Sequence, residues 1–210
     1  MNINPKKISA REAFHVFVGI ITPRPIAWVS TVDTQGRNNL APFSMYSMLS
    51  TVPAVVGFGV SAYRDGQKKD TIRNIEANKE FVINIVTEDL AQVMNLTSVP
   101  FPPGISEFDK AGLTPVSSDM VAPARVGQSP VSMECRVLQI LRFGIEPMVN
   151  HFIIGEILLV HIKDEFCRNG ALDVSRLKTI GVMGAIPPPD LYCRTTDTFE
   201  MKRPDFGDSE

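Results

Sequence analysis

PVSMECRVLQILRFGIEPMVNHFIIGEILLVHI, residues 130–162, holds two long β-forming runs separated by a Gly- and Pro-containing break. The first, residues 130–144, alternates only in part. The second, residues 151–162, is apolar nearly throughout, with Glu156 and His161 as its interruptions. Two such runs so close in sequence pair antiparallel, because a parallel pair needs a crossover of a dozen residues or more. A sheet built around this pair is therefore antiparallel at its centre.

Further strands are read on the N-terminal side. IAWVSTVD, residues 26–33, is rich in β-formers; Thr34-Gln35-Gly36 is a turn signal, and NNLAPFS, residues 38–44, returns as its hairpin partner. Pro42 marks that strand as an edge, a bend or an end. AVVGFGVSA, residues 54–62, and FVINIV, residues 81–86, are nearly continuous apolar strands. Gly57 and Gly59 project to one face, which admits either a ligand close to the backbone or bulky neighbours of a twisted barrel strand. A short helix is expected over residues 45–51. SAREAFHVFV, residues 9–18, reads as an amphipathic helix with Ser9 as cap and Glu12 completing a capping box. TEDLAQVMNLTS (87–98, capped by Thr87), FPPGISEFDKAG (101–112, with Ser106 and Gly112 at its helix ends) and DVSRLKTIG (173–181) supply short helices.

About six strands with helices inserted, not strictly alternating, predict a mainly β protein with a closed or nearly closed antiparallel barrel rather than a doubly wound sheet. No G-x-G-x-x-G follows a strand, so a Rossmann site is not indicated. One domain over 1–186 and an extended proline-led tail over 187–210 are expected, with no repeat or low-complexity tract.

At 210 residues the chain buries roughly 70% of its unfolded surface, so its core needs no staples. Lys plus Arg is 21 and Asp plus Glu is 23, a formal charge of −2, which gives no general drive toward nucleic acid. Cys135, Cys167 and Cys193 are odd in number and widely spaced, which points to reduced thiols in the cytoplasm, not to a disulfide framework or zinc site. His15, His151 and His161 form no H-E-x-x-H, and no metal is expected. The apolar patch Ala13–Ile21 is interrupted and followed by Thr22-Pro23, unlike a cleavable leader. No run reaches the roughly 18–20 apolar residues of a membrane span. There is no G-x-S-x-G, and nothing brings Asp33 to Asp70 or Glu134 to Glu156 as an acid–base pair.

GQKKDTIRNIEANKEFVINIV, residues 66–86, places Lys68 and Lys69 directly before a helix start at Asp70-Thr71. Cations there are unfavourable by roughly 0.3–1 kcal/mol each, since the helix dipole favours anions. A bound anion would reverse the sign, because N–H donors, dipole and ammonium groups converge on it. The alternative is a helix capped by Asp70 or Thr71 with both lysines solvated. NNLAPFSMYS, residues 38–47, adds amides, an aromatic ring and hydroxyls at one hairpin end, a set that suits a flat heteroaromatic ligand with a polar edge.

Five stretches, TPRPIAWVST, D-x-x-GRNNLAPFSMYS, KKDTIRNI, EFVINIV and HFIIGEI, occur in order over roughly residues 12–165. Together they resemble the flavin reductase-like family, also called the flavoredoxin or FMN-binding split-barrel group; TTDTFEMKRP resembles the end of many relatives. The resemblance implies a six-stranded antiparallel Greek-key split β-barrel and a homodimer with FMN held noncovalently near the interface. It implies Lys69 and Thr71 on the FMN phosphate, helped by Lys68, Arg73 and Asn74. Arg24 would reach the phosphate or ribityl chain, or else lie solvated between two prolines. Asn39, Leu40, Ala41, Pro42, Phe43 and Ser44 would line the isoalloxazine, with barrel core as the alternative for Phe43 and a turn or cap for Ser44. His151 would stand on the nicotinamide side, or be solvated; Trp28 would face either flavin or core. The implied activity is an FMN-dependent oxidoreductase taking hydride from NADH or NADPH. The alternatives are an electron carrier of flavoredoxin type and a non-catalytic binding module. A flavin-dependent monooxygenase or another redox protein would be the partner.

Overall fold

The computed structural model describes residues 1–63, 65–102, 104–184 and 190–203. Helix α1, Ala10–Ile20, starts on the expected capping box: the Glu12 N–H donates to Ser9 Oγ (3.2 Å) and the Ser9 N–H donates to Glu12 Oε2 (2.8 Å). None of its residues is buried within the chain.

Seven strands make the main sheet: β1 Ala27–Val32, β2 Asn38–Phe43, β3 Tyr46–Thr51, β4 Ala54–Val60, β5 Glu80–Asn84, β6 Val131–Ile145 and β7 Met148–Ile162. Their order is β2-β1-β5-β6-β7-β4-β3, with every pair antiparallel. β5, β6 and β7 form a meander, and β4, joined to β5 through helix α2 (Asp70–Asn78), lies beside β7; this is Greek-key connectivity. Phe43 on edge strand β2 and Phe58 on β4, the last strand but one, stand five places apart in that order. Their ring centroids are nonetheless 5.5 Å apart, and Phe58 meets Phe81 at 5.3 Å. The sheet has curled on itself into a split barrel, with Ile72 and Ile75 of α2 in the same core.

A second core covers the outer face of β1 and β2. Trp28 and Leu40 pack there with Met94 of α3 (Ala91–Leu96) and Phe108 of α4 (Glu107–Lys110). β1 is thus buried on both faces, which explains its unbroken apolar reading. Trp28 faces this core, not a ligand; its Nε1 donates to Thr97 Oγ1 at 2.9 Å. After α5, Val174–Leu177, comes β8, Ile180–Gly184. It pairs with Arg24–Pro25 on one side and β9, Leu191–Arg194, on the other. The expected domain boundary at 186/187 and the last residues of the tail lie outside the described residues. The part of the tail that is described begins as a paired strand and not as a free arm. Among the described residues, no helix is long and apolar enough to cross a membrane.

Four expectations are corrected. Residues 45–51 are not a helix: β3 pairs with β4, from Tyr46 opposite Phe58 to Thr51 opposite Ala54. The sheet accordingly has seven strands where six were expected. The two glycines of β4 explain why strand wins. A Cβ on Gly57 would come 2.5 Å from Phe152 and 2.9 Å from Leu49, and one on Gly59 would come 3.0 Å from Met45. The protein's own Phe152 and Leu49 fill the space over Gly57, whereas Gly59, against Met45, also lines an open cleft. α2 is capped by neither Asp70 nor Thr71; Lys69 is its N-cap residue, without a side-chain cap bond. Thr87 likewise makes no side-chain cap; it bridges to Thr179 and leads into a 3₁₀ turn, Glu88–Leu90.

The glycine of HFIIGEI is under tighter constraint. A Cβ on Gly155 would lie 2.5 Å from the Phe81 ring and 3.2 Å from the Arg136 carbonyl oxygen, and Phe81 is fully buried with nowhere to retreat. Gly155→Ala is expected to cost about 1–3 kcal/mol in urea unfolding. Gly57→Ala should cost less, because the half-buried Phe152 ring can swing outward; equal costs would contradict this picture.

Candidate functional site

β2, α2 and α1 meet at one end of the barrel around an open cleft of about 890 Å³. Pro42, Phe43 and Ser44 form one wall, Phe14 and Phe17 of α1 face them, and Tyr46 and Lys69 close the end. Burial pushes the Tyr46 phenol up to about 12, so it stays neutral.

Lys69 is the unusual group. Its Nζ lies 5.7 Å from the Phe43 ring centroid and 5.5 Å from that of Tyr63. Lys68 pairs with Glu76 at 2.7 Å and Arg73 pairs with Asp70, but among the described residues no carboxylate pairs with Lys69. Burial lowers its pKa. A half-buried ammonium supported only by two π faces is stabilised weakly, by about 0.5–2 kcal/mol. It stands at the first turn of a helix whose N-terminal N–H groups have no side-chain cap. This is the donor set that an anionic group completes.

The pleat of β2 divides the other expected ligand-lining residues. Asn39, Ala41 and Phe43 point to the barrel side, whereas Leu40 is fully buried in the outer core and turned away from the cleft. Ala41 packs on the inner core. Phe43 is both core and cleft wall, which merges its two readings. Asn39 donates from Nδ2 to Thr71 Oγ1 (3.2 Å) and Asn74 donates to Thr31 Oγ1 (3.0 Å), so these four side chains lash α2 to the sheet. Thr71 is buried by this contact. Asn39 and Asn74 line a separate polar cleft of about 340 Å³ on the other side of the α2 start, whose walls also carry Asp33 and Asp70.

Arg24 is not solvated, and it borders the cleft. It is buried, and its Nη1 donates to the Val18 and Ile21 carbonyl oxygens at the end of α1, answering the negative pole of that helix. Its Nε reaches Ser44 Oγ at 3.4 Å. His151 does not line the cleft. It is 4% exposed, behind Lys69, beside a void of about 20 Å³ that it shares with Lys68, Lys69 and Arg142. Its Nε2 is buried without a hydrogen-bond partner, and burial lowers its pKa, so the ring is neutral. Such a void has room for about one water.

Two features escaped the sequence reading. The aromatic face of α1 was visible in the spacing of Phe14 and Phe17, but only the barrel's curvature makes it a wall of the cleft. Glu107 lay inside a stretch read for its helix ends. Its Oε2 accepts the Leu40 N–H (2.9 Å), and β2 is an edge strand, so a buried carboxylate replaces a missing strand partner. Asp119, Glu134 and His161 also come together, with ligand atoms within 4.8 Å of one another. Glu134 is fully buried and already accepts the Asp119 and Met120 N–H groups and bonds the His161 ring, with Arg125 at 4.0 Å. The group works as a fastener for the 117–125 loop.

Comparisons with known proteins agree with this geometry. The family model described as flavin reductase like domain matches residues 20–176. An uncharacterized protein of Halalkalibacterium halodurans is 33% identical over 207 residues, covering 97% of each chain. The crystal structure of nitrilotriacetate monooxygenase component B from Bacillus cereus superposes with a TM-score of 0.89 at 27% identity, covering 96% of this chain and 98% of that one. Pseudomonas fluorescens 2-nitrobenzoate 2-nitroreductase NbaA follows at 0.86 and 26%, covering 98% of both.

Burial raises the Glu107 carboxyl above its ordinary range, more than the Leu40 N–H lowers it. A group raised in this way weakens folding as pH climbs through the ordinary carboxylate range, because ionisation favours the unfolded chain. Glu107→Gln keeps an acceptor for Leu40 and removes the charge. The melting temperature of the variant relative to wild type is expected to rise between about pH 4 and about pH 7; a difference independent of pH would exclude this account.

Proposed function

Because the chain belongs to the flavin reductase like family, we propose that it is a flavin-dependent oxidoreductase that holds FMN noncovalently in the cleft between α1 and β2. The observation that carries the reading is Lys69: a half-buried ammonium that pairs with no carboxylate among the described residues, at a helix start without a side-chain cap, beside an aromatic and proline wall. The residues present fit a flavin. Lys69 and the first N–H groups of α2 would take its anionic end, and Pro42, Phe43 and Ser44 would lie along its ring. When bound, the flavin would accept hydride from NADH or NADPH and pass the electrons to an acceptor, either free flavin or a partner such as a monooxygenase. Phe14 and Phe17, exposed in the single chain, would cover the ring from the opposite wall. His151, buried behind Lys69 with its Nε2 beside a void for about one water, would back the Lys69 side chain rather than touch the nicotinamide donor. Asn39, Thr71 and Asn74 hold α2 in place, and Arg24 fixes the end of α1 and the Ser44 hydroxyl.

A homodimer belongs to the same proposal. Phe17 and Ile21 line the cleft, and Ile20, Met48 and Leu49 continue the exposed apolar surface beyond it. A partner subunit covering that surface would place the flavin at the interface and hide a patch that monomers rarely expose.

Two experiments test this. Protein saturated with FMN and then desalted is expected to keep flavin absorption bands, and Lys69→Met to weaken FMN binding by about tenfold or more, the worth of one charge-assisted contact. Absence of binding at any FMN concentration would end the flavin reading. Flavin reduced by a protein partner but by neither nicotinamide would replace the reductase with an electron carrier. In sedimentation, wild type is expected to run as a dimer and Met48→Glu as a monomer.

A further inference from the structure

The small void behind Lys69 takes part in none of the steps above. It lies where the loop before α2 meets the turn of the β6–β7 hairpin. Lys68 and Lys69 line it from the loop, and Arg142, Glu146 and His151 line it from the hairpin. The two segments meet at Gly66, where a Cβ would come 2.4 Å from Pro147 Cβ and 2.9 Å from the Pro147 carbonyl oxygen. The φ of +81° there favours glycine as well. The wall is therefore built close. At about 20 Å³ the void takes one particle of about the size of a water.

Two independent observations say what that particle is. His151 is 4% exposed, and its Nε2 is buried without a hydrogen-bond partner; the void it borders is where a partner can reach it. The second observation is charge. Three cations and one carboxylate line the void. Glu76 answers Lys68 at 2.7 Å and Glu146 answers Arg142, which leaves Lys69 as the cation that pairs with no carboxylate among the described residues. A water would give the imidazole a partner and leave that charge unanswered. A phosphate or sulfate is too large for a space of one water. A monoatomic anion meets both needs: the neutral ring, protonated at Nε2, donates to it, and the ammonium offsets its charge.

We infer that this void is a binding site for a halide ion, chloride under ordinary conditions, held between the His151 Nε2–H and Lys69. The site itself stands apart from the flavin reading; its consequence rests on it. Lys69 lines both the void and the large cleft, so an ion in the void draws on the same charge as the anionic end of the flavin, and each weakens the other. Crystals grown in sodium bromide are expected to show an anomalous peak in the void of wild type and none in His151→Leu or Lys69→Met. His151→Gln, which keeps an N–H donor, is expected to retain it; melting curves check that the variants fold, and Lys69→Met carries the test if His151→Leu does not. Chloride NMR line broadening in solution, lost in Lys69→Met, is expected in wild type; its absence would mean binding at crystal concentration only and overturn the site. FMN titrations at fixed ionic strength are expected to give wild type a Kd about fivefold or more higher in chloride than in gluconate, and His151→Leu the same Kd in both. A peak that survives both substitutions, or a void that holds only water in bromide, overturns the site. A filled void with equal FMN affinity in the two salts keeps the site and overturns the competition. A filled void in a protein that takes up FMN in neither salt keeps the site and rejects the flavin reading.

Discussion

The β6–β7 hairpin is the element on which the rest of the sheet is hung. Its ladder runs from Val131 opposite Ile162 to Ile145 opposite Met148, shifting register at two places on the way. β5 attaches along one side of it and β4 along the other. Those attachments dictate everything outward: β1 and β2 follow β5, and β3 follows β4. Because the hairpin is long and irregular, the sheet twists enough for Phe43 and Phe58 to meet. Closure brings the start of α2 over the edge strand, and so creates both clefts.

Closure also sets the electrostatics. Among the described residues, each of three charged groups near the α2 start is answered locally, Lys68 by Glu76, Arg73 by Asp70 and Arg37 by Asp33, and Lys69 has no carboxylate partner. Lys69 is left with aromatic faces alone. In water that arrangement would matter little, but half-buried it leaves a positive potential at the mouth of an apolar cleft. An arrangement that costs folding energy and is not neutralised within the fold is a common mark of a site built for something else.

Much of this was legible in the sequence. The β-branched and aromatic runs at 26–33, 54–62, 81–86, 130–144 and 151–162 became strands, and Ser9 with Glu12 capped α1 as spaced. Residues 45–51 misled because MYSMLST has no strong period of its own; its strand identity is decided by the space that Gly57 and Gly59 leave on a neighbour. Leu40 was grouped with its sequence neighbours, yet a pleated strand sends alternate residues to opposite faces. Arg24 and His151 were read as ligand-facing; Arg24 borders the cleft but spends its guanidinium on the nearby end of α1, and His151 is buried in the barrel wall beside strands distant in sequence. Local chemistry names elements well, but which side of an element faces a cleft depends on contacts that span the whole chain.

Helix α1 carries a final consequence. It buries none of its own residues within the chain, yet it supplies one wall of the large cleft and is held at its end by Arg24. Anything that covers the outer side of α1 therefore steadies the inner side, and anything that fills the cleft steadies the outer side in return. Were a second copy to cover α1, occupancy and assembly would be two readings of one equilibrium, each raising the other's affinity by the same factor.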